Sequence, residues 1–315
     1  MTLLGLRNPL RRISNAARLL ARRPRTAATG HRCFVIGHRG AARLEAENTI
    51  PSFEKALELG ADGIETDVCV TLDGHFVLWH DSHPDDKIAL LRQAAGEKTY
   101  RYQPDVPNIG SKWRRPVGEL TLDELRAHYG YVPRKGTGKR VRFALLDDFF
   151  EWSKTEPRLH LVCLDVKLGE HETAGARELA GRIREGRRSG RIREGLSVAL
   201  LCPQEETLRA ILTEARREPL GKDVWIFADL ELPGALAVAK RFGVECVSFG
   251  LRRRVWAVLR REIAQVLAAR KRERIDKVLV WTVSEEKRLR ELVGLGVDGI
   301  ITDDAALLRR IAGGA

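Results

Sequence analysis

A few short segments of the chain carry residue types that do chemistry. They are His38-Arg39-Gly40, Glu65 with Asp67, His80-Asp81, Asp165 with Lys167, Trp281-Thr282 and Thr302-Asp303. Glu65 and Asp67 are two apart, so on a strand both side chains leave the same face, and Asp165 and Lys167 share that spacing. Carboxylates that converge on one mouth repel each other unless a cation joins them. An all-oxygen donor set selects a hard divalent ion, Mg²⁺ or Ca²⁺, over zinc. Arg39 and Lys167 add fixed positive charge suited to an anionic group such as phosphate. His38 and His80 come from different segments, as an acid–base pair acting on opposite sides of one bond requires. Taken singly these signals are weak, since an EXD triplet is more often a surface ion pair and an HD dipeptide has little specificity. Their joint placement at strand ends is what favours function.

The elements that must position them alternate along the chain. Short β-rich apolar runs fall at 33–37, 62–68, 160–166, 196–201, 223–228, 244–249, 277–283 and 297–302. Helical patterns lie between them, at 50–59, 171–185, 204–215, 233–242, 254–273 and 285–294. Strand–helix alternation predicts a parallel sheet covered by helices, and eight such strands predict a closed (β/α)₈ TIM barrel. Barrel enzymes carry catalytic groups at the C-terminal strand ends, where every segment named above except His80-Asp81 falls. One further run, 76–80, follows 62–70 too closely for a parallel crossover and must form a hairpin with Asp73-Gly74 as its turn. Counting outward from that turn sets His80 opposite Asp67. The stretch 82–118 is a long connection, read as an inserted cap over the mouth, with a disordered surface insertion as the other reading.

The chain has 315 residues, 43% hydrophobic and 31% charged, with a net charge of +12. That length and composition bury a sizeable core, and no apolar run is long enough for a transmembrane helix. Residues 1–32 hold eight arginines and no acid, which leaves only +4 for the remaining 283 residues. The expectation is therefore a basic arm over 1–32, solvated or docked on an anionic membrane surface, ahead of a barrel over 33–312. The arm lacks the apolar core of a secretory signal, so a cytoplasmic protein, peripheral to a membrane at most, is expected. No nucleic-acid recognition motif accompanies the charge. A second basic stretch, 252–274, carries Val255, Leu259, Ile263, Val266 and Leu267 at helical spacing, which predicts one buried face with the charges opposite. The hexapeptide GRIREG occurs at 181–186 and 190–195, too short a duplication for a repeat fold and read as a helix end and a loop. Five cysteines without a CxxC argue against a disulfide scaffold or a zinc site, and Cys33, Cys163, Cys202 and Cys246 read as core residues.

Gly37-His38-Arg39-Gly40, Glu47-Asn48-Thr49, Ser52-Phe53, Gly60-Ala61-Asp62, Ile64 to Val68, Asp73-Gly74 and His80-Asp81 together resemble the signature of the glycerophosphodiester phosphodiesterase family. The similarity returns at 119–126, 164–167, 280–283 and 296–303, so it spans roughly 33–304. It implies metal-dependent hydrolysis of a small phosphodiester on a TIM barrel, as in glycerol and lipid metabolism, with glycerophosphodiesters or lysophospholipids as substrates. It implies His38 and His80 as general acid and base, Arg39 as a phosphate contact, Glu65 and Asp67 as metal ligands, and Lys167 as a substrate-facing cation. Three departures stand out. Asp165 replaces the usual Glu at the third ligand position, so the metal shifts or a water bridges the gap. Ser284 replaces Asn after Trp281-Thr282-Val283, which should mainly affect the loop. The usual Leu-x-Arg-Thr-Thr stretch after Asp81 is absent, which bears on substrate preference. A non-catalytic barrel that binds an anionic surface is the alternative from another class, and it has no need of the His/Glu/Asp set.

Overall fold

The computed structural model describes residues 33–169, 172–229, 235–250 and 255–313. The basic arm expected over 1–32 lies outside the described residues, and so does the start of the second basic stretch.

Eight parallel strands close into a barrel. They are β1 (Phe34–His38), β2 (Gly63–Val70), β6 (Leu161–Val166), β7 (Ser197–Cys202), β8 (Val224–Ala228), β9 (Cys246–Gly250), β10 (Lys277–Trp281) and β11 (Gly299–Thr302). Each pairs with the next in that order, and β1 pairs with both β11 and β2 to close the ring. Helices α1 (Ile50–Glu58), α4 (Leu146–Ser153), α5 (Thr173–Arg188), α6 (Glu205–Arg217), α7 (Ala235–Phe242), α8 (Trp256–Glu273), α9 (Glu286–Leu295) and α10 (Ala305–Gly313) follow the strands. This is the (β/α)₈ TIM barrel expected from the alternation. The first GRIREG copy lies within α5 and the second in the loop after it. All five cysteines are buried and unpaired. No helix among the described residues is long and apolar enough to cross a membrane.

The period of two along each strand sorts side chains between the barrel interior and the helix-covered outer layer. Ile36, Cys163, Phe227, Leu279 and Ile301 fill the barrel interior. Two residues further along the same faces, His38, Asp165, Asp229, Trp281 and Asp303 line the cavity at the C-terminal end. One residue step would have sent each of these into the outer, helix-covered layer instead. On α8, Leu259, Ile263 and Val266 are buried as expected, but Val255 is 71% exposed because it precedes the first helical turn rather than extending its face.

The long β2 outruns β1, and the antiparallel β3 (Phe76–Leu78) pairs with its free end. The hairpin register differs from the expected one. Thr71 closes against His75, so the loop is Leu72-Asp73-Gly74 with Gly74 at φ 81°, and Trp79 donates to Asp67 O at 3.1 Å. Leu72 belongs to the turn, and the partner of Asp67 is Trp79 rather than His80.

After β3 the chain does not stay structureless. It forms α2 (Lys87–Ala95), β4 (Tyr102–Asp105), a 3₁₀ turn (Val117–Glu119), α3 (Leu122–His128) and β5 (Gly130–Pro133), with β4 and β5 paired. Trp79, Tyr129, Tyr131 and Phe143 give these elements a hydrophobic core of their own, with Trp79 and Tyr131 ring centroids 4.9 Å apart. Residues 82–118 contribute α2, β4 and the start of the 3₁₀ turn, and their core draws on residues well beyond 118.

Two similar pentapeptides, GADGI and GVDGI, make the same clamp at the opposite end of the barrel. Asp62 N donates to Val35 O, while its carboxylate accepts from Val35 N at 2.8 Å. Asp298 N donates to Val278 O, and its carboxylate accepts from Val278 N at 2.7 Å. Each aspartate thus satisfies a buried strand-start amide. Asp298→Ala should strand the Val278 amide and cost about 1–3 kcal/mol, read as a lower urea midpoint at unchanged slope. An unchanged midpoint would show that the clamp carries no stability.

Candidate active site at the barrel mouth

The first strand ends in a turn that ordinary backbone geometry disfavours. Arg39 sits at φ 52° and Gly40 at φ 86°, both left-handed. A Cβ on Gly40 would fall 2.6 Å from the Ser52 carbonyl carbon, so only glycine passes there. Ser52, near the start of α1, clamps the turn by donating to Arg39 O at 3.0 Å and accepting from Ala41 N at 2.9 Å. The reward for this conformation is position. Arg39 N donates to Glu65 Oε2 at 2.9 Å, while Arg39 Nη1 meets Glu47 at 2.9 Å and Nε lies 3.0 Å from Asp67 Oδ2. The Glu47-Asn48-Thr49 triplet then divides its tasks. Glu47 holds Arg39. Asn48 donates to Asp67 Oδ2 at 2.9 Å and accepts from Thr66 Oγ1 at 2.7 Å. Thr49 caps α1.

Strand register brings the carboxylates together. His38 pairs with Glu65 across β1 and β2, and Asp67 pairs with Asp165 across β2 and β6. One oxygen from each of Glu65, Asp67 and Asp165 lies within 4.8 Å of the other two. The shorter Asp165 side chain still reaches the cluster, because it stands level with Asp67 rather than with Glu65. Lys167 donates to Asp165 Oδ2 at 2.5 Å and lies 3.6 Å from Asp67 Oδ1. Asp165 Oδ1 is buried with no hydrogen-bond partner. An orphaned carboxylate oxygen beside two more carboxylates is the donor set a hard divalent cation takes.

Electrostatics agree with that reading. Burial and the charge of Asp67 push the Glu65 carboxyl up to about 8. Burial and Asp67 also raise Asp165, against the pull of Lys167. Asp67 is held low despite its burial, by Arg39, His80 and Lys167. Three carboxylates here face two fixed cations, and the proton retained on Glu65 makes up part of the difference.

The two imidazoles face the same cavity, which has a volume of about 690 Å³. His38 Nδ1 lies 2.7 Å from Asp303 Oδ1, and His80 Nδ1 lies 2.6 Å from Asp81 Oδ1. Burial and Arg39 oppose charge on His38, but Asp303 and Glu65 outweigh them and its pKa is raised. For His80, burial and Arg39 prevail and its pKa falls well below the ordinary value. Proton affinities shifted in opposite directions on two imidazoles in one cavity suit an acid and a base.

Arg39, Lys167, Trp281 and Thr282 also line the cavity, whereas Asp67 lies behind its wall, 1% exposed. Several participants carried no clear sequence signal for their tasks. Asp303 was visible only as a strand-end acid, and its partner Tyr100 comes from the insertion. Asp229, one residue past β8, accepts from Trp281 Nε1 at 2.6 Å and from Ser248 Oγ, and burial near Asp165 pushes it up to about 6. Ser284 does more than shape its loop, since its Oγ accepts from Asp303 N at 3.1 Å.

The sequence profile of the glycerophosphoryl diester phosphodiesterase family matches residues 38–307. The chain belongs to that family. It is accordingly a phosphoric diester hydrolase. It is 28% identical over 279 residues to a glycerophosphodiester phosphodiesterase of Caldanaerobacter subterraneus subsp. tengcongensis, covering 87% of this chain and 96% of the relative. The barrel resembles that of a glycerophosphodiester phosphodiesterase from Parabacteroides distasonis, with a TM-score of 0.61 at 19% identity over 90% of this chain and 98% of that one. It also resembles an Oleispira antarctica phosphodiesterase solved with its product sn-glycerol-3-phosphate. There the TM-score is 0.61 at 16% identity, over 88% and 96% of the two chains.

Because Glu65 keeps its proton up to about pH 8, a cation bound at the cluster must displace it. Cation binding near neutral pH should release about one proton, and affinity should rise about tenfold per pH unit before levelling above about pH 8. Calorimetric titration in two buffers of different ionisation enthalpy measures both. Equal heats in the two buffers and a flat affinity profile would contradict the protonated Glu65.

Proposed function

We propose that this phosphodiesterase cleaves glycerophosphodiesters to an alcohol and glycerol phosphate, using His38 and His80 as acid and base and one divalent cation, Mg²⁺ or Ca²⁺. The observation that carries the reading is the convergence on one cavity of two imidazoles, each backed by its own carboxylate, with Glu65 and Asp165, behind which Asp67 completes a carboxylate cluster. Those three carboxylates would hold the cation. When bound, it would supply Lewis-acid polarisation of a phosphate oxygen and offset the charge that develops in the transition state.

The chain's own residues account for the rest. Arg39 and Lys167 line the cavity as fixed cations and orient the phosphate. One imidazole takes the proton of the attacking hydroxyl as the new P–O bond forms; if that hydroxyl is the neighbouring glycerol 2-hydroxyl rather than water, the cyclic phosphate it forms is opened by water in a second step to give glycerol phosphate. The other gives a proton to the departing alkoxide as the old P–O bond breaks. Asp81 and Asp303 each hold an imidazole through Nδ1, which leaves Nε2 of both for the reacting oxygens. The product complex of the Oleispira antarctica phosphodiesterase supports glycerol phosphate as the product side of the reaction. A non-catalytic barrel would have no use for this arrangement, and nothing in the cavity favours it.

The test is turnover of a glycerophosphodiester followed by release of glycerol phosphate. His38→Ala and His80→Ala should each lower kcat by about 10²–10⁴ while cation affinity is retained. A chelator should stop the wild type, and added divalent ion should restore it. Either variant keeping most of its activity would remove that histidine from the mechanism.

A further inference from the structure

The two histidine–carboxylate pairs share an unexpected feature. Each carboxylate is also gripped by a residue of the segment between β3 and α3. Arg92, on α2 and only 5% exposed, donates from Nε to Asp81 Oδ2 at 3.2 Å and from Nη2 to Glu47 Oε1. Asp81 is thereby turned so that its other oxygen meets His80. Tyr100, just before β4, donates its hydroxyl to Asp303 Oδ1 at 2.8 Å, the oxygen that also meets His38 Nδ1, and the same hydroxyl lies 3.1 Å from His38 Nδ1 itself. We propose that Arg92 and Tyr100 are positioning residues, so that this inserted segment completes the site by fixing Asp81 and, through it, His80, and by holding Asp303 and His38 together.

The physical argument is one of rotational freedom. An imidazole on a single hydrogen bond turns with the carboxylate that holds it, and a carboxylate with one partner is free to turn. Arg92 removes that freedom at Asp81 because a planar guanidinium can bind two carboxylates at once, which an ammonium cannot do with the same geometry. Its Glu47 contact ties the same fork to the residue that holds Arg39, so α2 is locked to both sides of the site. Ser284 Oγ reaches Asp303 Oδ2 only at 3.5 Å, and Tyr100 adds the closer donor on Oδ1; burial with the nearby Asp303 charge raises the Tyr100 pKa, which keeps the hydroxyl protonated. The segment is itself braced. Arg114 donates to Pro84 O, Pro107 O and Gln93 Oε1, joining the loop at 107–114 to the start and body of α2. A movement of this segment would therefore disturb both imidazoles together.

The proposal rests on both imidazoles taking part in the reaction, and its test separates the two claims. Arg92→Gln, Arg92→Lys and Tyr100→Phe are compared with wild type as the full chain with divalent cation present. Arg92→Gln should lower kcat about 10–100-fold, the scale seen when an outer partner of a site histidine is removed. Tyr100→Phe should lower it about tenfold. KM should stay within about twofold and the melting transition should persist, since neither change removes a proposed substrate contact. Arg92→Lys should recover part of the loss. Proton resonances of the imidazole Nδ1–H groups give a readout independent of turnover. Arg92→Gln should move the His80 signal and spare that of His38, and Tyr100→Phe should do the reverse. Losses that follow a falling melting temperature, a rise in KM at unchanged kcat, or resonances that stay put would overturn the positioning role. Crossed shifts with unaltered rates would instead overturn the imidazoles as catalysts, and this proposal with them.

Discussion

Three carboxylates drawn into one buried mouth repel each other, and the architecture around them answers that repulsion. The side chains of Glu65, Asp67 and Asp165 are 4%, 1% and 17% exposed, so water does little to screen them. Arg39 accepts a left-handed backbone to bring its amide to Glu65 and its guanidinium to Asp67. Asn48 spends its side-chain amide on Asp67, and Lys167 folds back over Asp165. Even so, Asp165 keeps an orphaned oxygen and Glu65 keeps a proton to about pH 8.

The barrel makes this convergence possible at low conformational cost. Parallel register fixes Asp67 beside Asp165 and Glu65 beside His38, and the period of two keeps apolar residues below and polar ones above on the same faces. The aspartate clamps at Asp62 and Asp298 hold strand starts at the far end, so stability and chemistry occupy opposite ends of the barrel. The hairpin and insertion then supply what the strands do not, namely His80, Asp81, Arg92 and Tyr100.

Much of this was legible in the sequence for definite reasons. Strand ends are marked by apolar runs, and spacing of two puts Glu65 with Asp67 and Asp165 with Lys167 on one face. Those signals are local, and the structure brings these side chains together with His38, His80 and Arg39. What escaped was long-range or depended on one residue. Leu72 reads as either strand or turn, and its place in the turn shifted the partner of Asp67 from His80 to Trp79. Val255 fits the helical period of α8 but precedes its first turn, so it stays exposed. Tyr100 lies 203 residues from its partner Asp303, and no local pattern announces such a bond. Arg92 sits eleven residues beyond Asp81 on a helix whose apolar face gave no reason to expect a buried ion pair.

The most direct measurement is the position of a bound cation. Crystals soaked in Mn²⁺ and recorded for anomalous scattering should show one strong peak within about 2.0–2.6 Å of oxygens from Glu65, Asp67 and Asp165. The same peak should weaken in crystals of Asp165→Asn. A peak elsewhere in the cavity, or full occupancy with Asp165 out of coordination range, would contradict the three-carboxylate site.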